Sequence, residues 1–151
     1  MSESASYVIE HTCEEVVDKI TTQMQSRSVR ATNELRNAEL LVLRGRRSGR
    51  MYRVPNTKAR YRASAPGEPP AVRTGHFRLR WQRKHYATPS GSGKSMTVHS
   101  AIQSNVTVSN GQLLGEILED GTSKMAPRPY KDKIIEKAEP KIVKIYKEPY
   151  L

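Results

Sequence analysis

At 151 residues, 36% hydrophobic and 27% charged, with one Phe and one Trp, the chain has room for one domain with arms or loops. Its core must be a modest one of aliphatics, Ala, Met and Tyr. The formal net charge of +11 points to a polyanionic partner (nucleic acid, an acidic protein face or membrane headgroups), and thirteen Lys or Arg against the single acid Glu68 lie between Arg44 and Lys84. No apolar run approaches the roughly 20 residues that cross a bilayer, and Met1 to Ser6 lacks the order of a signal peptide, so a soluble protein, cytosolic when made, is expected. The lone Cys13 excludes an internal disulfide and any CxxC zinc site.

After a short N-terminal arm over residues 1–8, Cys13, Val17, Ile20, Met24, Ala31, Leu35, Ala38 and Val42 recur at helical steps, predicting one long helix over residues 9–45 with a single buried stripe. The pattern weakens over Ser26 to Thr32, where a bend is expected. Gly45 is placed to cap the helix, and Arg44, Arg46 and Arg47 complement the negative pole of its dipole. Residues 46–73 hold Gly49, Pro55, Pro66, Gly67, Pro69 and Pro70 among Arg50, Arg53, Lys58, Arg60, Arg62 and Arg73 without a sustained period, which reads as an extended basic loop.

A short helix from Thr74 to about Gln82 follows, with Phe77 and Trp81 on one face and the Thr74 hydroxyl as its cap. Lys84 to Thr88 and Ser95 to Ser104 form two strands of a small antiparallel sheet around a Pro89–Gly93 turn, and Val106 to Ser109 adds a short strand before Asn110-Gly111. Leu113 to Glu119 reads as a turn of helix, with Gly121 supplying a positive φ after it. Tyr130 to Tyr146 returns to helical spacing, with Pro140 expected to kink or break it, and residues 147–151 form a tail. The fold class is α+β: a long N-terminal helix, a small antiparallel sheet with an extended basic loop, a short helix and a C-terminal helix, residues 74–146 forming the core of one domain.

Catalytic signals are weak. Gly91-Ser92-Gly93-Lys94-Ser95 looks like part of a phosphate loop, but Thr88 stands where that motif needs its first glycine, and Met96 to His99 favours a strand where it needs a helix. The string reads as a hairpin tip. His11, His76, His85 and His99 share no ligand spacing. Glu14, Glu15 and Asp18 read as a solvated helix face, and Glu116, Glu119 and Asp120 lie around a turn. No enzyme, cofactor or metal is expected. The basic segment differs, being long, nearly one-signed and interleaved with Tyr52, Tyr61, Phe77, Trp81 and Tyr86, a composition that suits phosphates with stacked bases or an acidic protein surface.

Two stretches carry a resemblance: Ala65-Pro66-Gly67-Glu68-Pro69-Pro70-Ala71-Val72-Arg73-Thr74-Gly75-His76-Phe77-Arg78, and Leu114-Gly115-Glu116-Ile117-Leu118-Glu119-Asp120-Gly121-Thr122-Ser123-Lys124-Met125-Ala126-Pro127-Arg128-Pro129-Tyr130. In this order they resemble the small tail-completion, or head-to-tail joining, proteins of long-tailed phages, the family named for gene product ten of a lambdoid phage. Those proteins carry a Pro-rich stretch before Thr-Gly-x-hydrophobic-Arg, then Leu-Glu-x-Gly-Thr, then Met-x-x-Arg-Pro-aromatic. This chain departs from the pattern at Arg73, where Asp is common, at Leu114-Gly115, where Tyr-Ala is common, and at Asp120, where an aromatic is common.

The resemblance implies a non-enzymatic neck protein of the virion, forming an oligomeric, hexameric ring. Implied partners are the tail-tube or tail-terminator protein and the head-completion, adaptor or portal proteins, with non-specific contact to packaged double-stranded DNA and no membrane. On this reading Arg44, Arg46, Arg47, Arg50, Arg53, Lys58, Arg60, Arg62 and Arg73 form an assembly arm, and residues 147–151 reach neighbours. Thr74, Gly75, Gly121, Thr122 and Pro129 maintain the fold, and Arg128, held between prolines, pairs with a carboxylate such as Glu119. The rival readings are a free-standing, sequence-independent nucleic-acid-binding protein and, more distantly, a nucleotide hydrolase using Gly91 to Ser95.

Overall fold

The computed structural model describes residues 5–89 and 95–150. Eight elements follow in chain order: α1 (Ala5–Arg44), β1 (Met51–Arg53), β2 (Arg60–Arg62), α2 (His76–Leu79), β3 (Trp81–Pro89), β4 (Met96–Ser104), α3 (Leu114–Asp120) and α4 (Lys131–Tyr146). The α+β class stands, with the strands divided between two separate antiparallel pairs, β1-β2 and β3-β4. The string Gly91 to Lys94 and residues 1–4 of the expected arm lie outside the described residues, and residues 5–8 belong to α1.

The C-terminal half of α1 is the spine. The β3-β4 hairpin and α4 both pack on it, and the core joins Ala38 and Leu43 of α1 to Tyr130, Ile134 and Ala138, with Leu35, Val42, Phe77, Trp81, Ile102, Leu118 and Ile142 around them. A fully buried Leu such as Leu43 contributes about 1.5–3 kcal/mol by leaving water. Phe77, Trp81 and Tyr130 meet edge to face with centroids 5.5–5.9 Å apart, the arrangement that aromatic quadrupoles favour.

Ser26 to Thr32, where a bend is expected from the sequence, lies inside unbroken helix and includes some of its most buried positions. The small side chains there let other elements approach closely. Ser28 Oγ donates to the carbonyl of His99 (2.7 Å), and Ser100 Oγ lies 3.1 Å from Ser28 Oγ and 3.2 Å from the Tyr146 hydroxyl, so one polar junction ties α1, β4 and α4. The apolar period fades because this contact is polar.

Along β4, Met96, Val98, Ser100, Ile102 and Ser104 face inward in strict alternation. β3 begins at Trp81, so the expected helix over Thr74 to Gln82 shortens to His76–Leu79, capped by Gly75 at φ 84° without a side-chain cap. Thr74 Oγ1 only accepts a long 3.5 Å bond from the His76 amide. Val106 to Ser109 forms no strand. A single bridge, Thr107 to Leu113, closes the turn around Gly111, which has φ 82°.

Pro140 does not break α4, which runs through it to Tyr146 with Ile134, Ala138 and Ile145 buried on either side. Packing against α1 holds the helix together across the missing N–H. Nor does Gly45 supply a left-handed cap. Arg47 closes the end of α1 instead, its guanidinium donating to the carbonyls of Val42 (2.8 Å) and Pro70 (3.0 Å).

Residues 148–150 are tied to α1. Arg27 donates to the Pro149 carbonyl (2.7 Å) and stands 3.7 Å over the Tyr150 ring, while Arg30 forms a two-pronged pair with Glu148.

Candidate assembly surface

The basic loop contains a β-hairpin. Met51, Tyr52 and Arg53 pair with Arg62, Tyr61 and Arg60, and the turn between them is closed by Thr57 N–H to the Val54 carbonyl (3.2 Å), with Asn56 at φ 60°. Asn tolerates that left-handed conformation. Tyr52 and Tyr61 share one face with ring centroids 6.1 Å apart, while Met51, Arg53, Arg60 and Arg62 share the other. Arg53 lies directly opposite Arg60, a like-charge pair that costs stability in a ribbon unless an anion covers it.

The base of this arm is tied. Gly49 N–H donates to the Ala63 carbonyl (2.9 Å) and Ala63 N–H to Arg50 (2.8 Å). Any Cβ at Gly49 would sit 2.6 Å from the Ala63 carbonyl oxygen, so only glycine allows that closure. Glu68 staples the two ends of the arm together, accepting from Ser48 Oγ (2.6 Å), Ser48 N–H (3.0 Å) and Ala65 N–H (2.9 Å). The Ser48 hydroxyl first, then the Ser48 and Ala65 amides, pull the Glu68 carboxyl down to about 2. The only acid of the basic segment is therefore committed to fixing the arm's base.

The nine predicted cations divide. Arg47 is half-buried and structural, and its burial lowers its pKa. Arg44, Arg46, Arg50, Arg53, Lys58, Arg60, Arg62 and Arg73 are exposed, and no carboxylate among the described residues pairs with any of them. Arg62 alone of the hairpin cations is held, donating to the Gly49 carbonyl (3.2 Å).

Beside the hairpin, a cleft of about 490 Å³ is lined by Leu43, Tyr61, Thr74, Phe77, Leu118 and Arg128 among others. The two motif stretches, distant in sequence, meet across it. Gly75 and Arg128 both line the cleft, and Gly115 packs so tightly under Tyr130 that an added Cβ would lie 2.7 Å from the phenol oxygen. Tyr130 donates its hydroxyl to the Gly115 carbonyl (3.0 Å), and burial, with Glu119, Asp120 and Glu116 adding to it, raises the phenol pKa well above its ordinary value.

Arg128 and Glu119 do not form the ion pair expected from the sequence. Glu119 Oε2 instead accepts from the amides of Tyr130 (3.0 Å) and Lys131 (3.3 Å), capping α4, and Arg128 is anchored through its backbone N–H to the Leu118 carbonyl (2.8 Å). A carboxylate gains more from two free amides at a helix start than from a mobile cation. Gly121 takes φ 76°, and Thr122 pairs with Met125 to close the turn that delivers Pro129 to α4.

Sequence reasoning missed two parts of this surface. Hairpin strands flank Pro55-Asn56, and the near-mirror order Arg50-Met51-Tyr52-Arg53 and Arg60-Tyr61-Arg62 was the available signal. The second is the beginning of α1, where residues 8–19 are all exposed although the apolar period predicts a buried stripe. Val8, Ile9, Val16 and Val17 are 37–63% exposed, and Cys13 is exposed with them.

Among the described residues no cluster of His, Cys, Asp and Glu could hold a metal ion, and no helix is long and apolar enough to cross a membrane. Compared with known proteins, the chain matches no family model, no curated protein and no solved structure.

Proposed function

We propose that the chain is a structural subunit of a tailed-phage neck, a tail-completion or head-to-tail joining protein that forms an oligomeric ring around the DNA channel. The observation that carries the reading is the convergence of the two motif stretches on one cleft beside the basic arm. Residues scattered along the chain thus build a single surface, in the order the resemblance requires. The function is assembly: the α1-α4 spine and β3-β4 give rigidity, and the stapled hairpin offers cations to a neighbour or to the DNA. Its place is the virion, between the tail-tube or tail-terminator protein and the head-completion, adaptor or portal proteins.

Deleting the gene from the phage that encodes it tests the role. Filled heads separated from finished tails are the expected particles, and normal virions overturn the reading. A second reading, sequence-independent nucleic-acid binding by the isolated monomer, draws on the Tyr52-Tyr61 face of a ribbon whose other face carries uncompensated arginines. It requires tight duplex binding by the monomer with affinity falling steeply as salt rises.

A further inference from the structure

Two unpartnered surfaces of opposite sign lie at opposite ends of α1. At the start, Ile9, Cys13, Val16, Val17, Ile20 and Met24 fall within an arc of roughly 100° at 100° per residue. This arc continues the face that Ala31, Leu35 and Ala38 turn into the core; Ile20 and Met24 are half-buried at its inner end, and over residues 8–19 none of the described residues covers it. Glu10 stands at the edge of the same arc, and Glu14 and Asp18 step progressively away from it round the helix, roughly 40° at a time. Such like charges weaken a helix, and these three carboxylates have no partner among the described residues.

At the other end one face of the β1-β2 hairpin carries the complement: exposed Met51 beside Arg53, Arg60 and Arg62, with the Arg53-Arg60 repulsion unrelieved. The two surfaces cannot meet within one chain. Asp18 and Arg44 are about 39 Å apart along the helix at ~1.5 Å per residue. From its stapled base at Ser48 the hairpin extends only about 23 Å to Pro55 at ~3.3 Å per residue. The remaining gap of about 16 Å is about two Debye lengths at physiological salt, roughly 8 Å each.

We infer that the acidic start of α1 docks on the basic β1-β2 hairpin of a second copy, a head-to-tail contact in which the apolar stripe meets Met51 and carboxylates meet the arginines of the same hairpin face. Because each copy offers one helix and one hairpin, the contact is heterologous and propagates until rotation closes it into a ring. The inference deepens the ring reading and rests on it.

Cys13, the only thiol, lies in the docking stripe and makes the contact testable in the full chain. With Lys58→Cys added at the hairpin turn, a short bismaleimide should give a ladder of covalent oligomers, whereas the unaltered chain, with Cys13 alone, should give none. Dimers of the unaltered chain would mean helix-to-helix pairing, and monomers throughout would mean no self-contact. Either overturns the inference.

Charge reversal closes the argument. Within the Lys58→Cys chain, E10K/E14K/D18K and R53E/R60E/R62E should each reduce the ladder at least tenfold, and mixing the two variants should restore it, since each then offers what the other needs. A ladder indifferent to both reversals, or no recovery on mixing, overturns the inference. Should a reversal unfold the helix or hairpin, the glutamine forms E10Q/E14Q/D18Q and R53Q/R60Q/R62Q must weaken the ladder instead. Without a ladder, a gene whose deletion still separates heads from tails keeps its neck role and loses only this interface. A ladder with normal virions does the reverse.

Discussion

Replacing Glu119 by alanine removes the acceptor that serves the first amides of α4, at Tyr130 (3.0 Å) and Lys131 (3.3 Å). This helix brings Tyr130, Ile134 and Ala138 into the core, so its start is coupled to the most buried part of the fold. Losing a cap of this kind costs about 1–2 kcal/mol, the unsatisfied amides accounting for most of it. For a chain of this size each kcal/mol moves the midpoint by about 2–4 °C, so E119A should melt about 2–8 °C lower. E119Q keeps a carbonyl oxygen at the same place and should lose about half as much. R128A should stay within about 0.5 kcal/mol of the parent, because no carboxylate among the described residues pairs with Arg128 and its backbone bond to Leu118 survives. Urea denaturation of the two single variants and the double variant measures the coupling directly. If R128A costs as much as E119A, with a coupling above about 1 kcal/mol, Glu119 is the arginine's partner and the capping role is refuted.

Gly121→Ala places a Cβ 2.6 Å from the Met125 carbonyl oxygen and 2.7 Å from the Pro127 nitrogen, both backbone atoms, at φ 76°. It should lose about 2–3 kcal/mol in urea denaturation, and a neutral result would mean the turn is not held as described. Glu68 should titrate near 2 by carbon-detected NMR. Its native pKa lies below the unfolded value of about 4.3, so its stabilisation is complete above that pH and is lost as pH falls toward the native value. E68A should speed amide exchange at Gly49 and Ala63 while leaving α1 and α4 protected, since the hairpin opens as a unit of its own. Tyr130 should resist ionisation in an ultraviolet titration. Because its native pKa is raised, the protein should lose stability as pH climbs above about 10, where the unfolded phenol ionises first. Tyr130→Phe should flatten that alkaline loss and cost about 1 kcal/mol at neutral pH through the Gly115 bond.

Local patterns made several elements legible. The two long helices follow from apolar recurrence, the inward alternation of β4 from Met96 to Ile102, and the positive φ at Gly121 from the turn it must make. Each depends on forces within a few residues of the chain. The basic hairpin stayed hidden because its paired strands are three residues long and carry arginine and tyrosine rather than an apolar alternation, so pairing across the turn decides them. The length of α2 was misjudged because Phe77 and Trp81 touch as a helical pair would, while Trp81 is held in β3 by Ser104 across the sheet.

By itself the sequence determined the α+β class, the concentration of cations between Arg44 and Lys84 and the stretches that carry the resemblance. Only the tertiary structure decided which charges are free. Glu68 and Arg47 carry ordinary surface side chains, yet backbone amides and carbonyls from distant turns claim both of them, one for the arm's base and one for the end of α1. The same holds for the start of α1, whose apolar stripe reads as core until its surroundings are known. Periodicity specifies that a face is apolar, whereas burial depends on what the rest of the chain places against it, and none of the described residues covers residues 8–19.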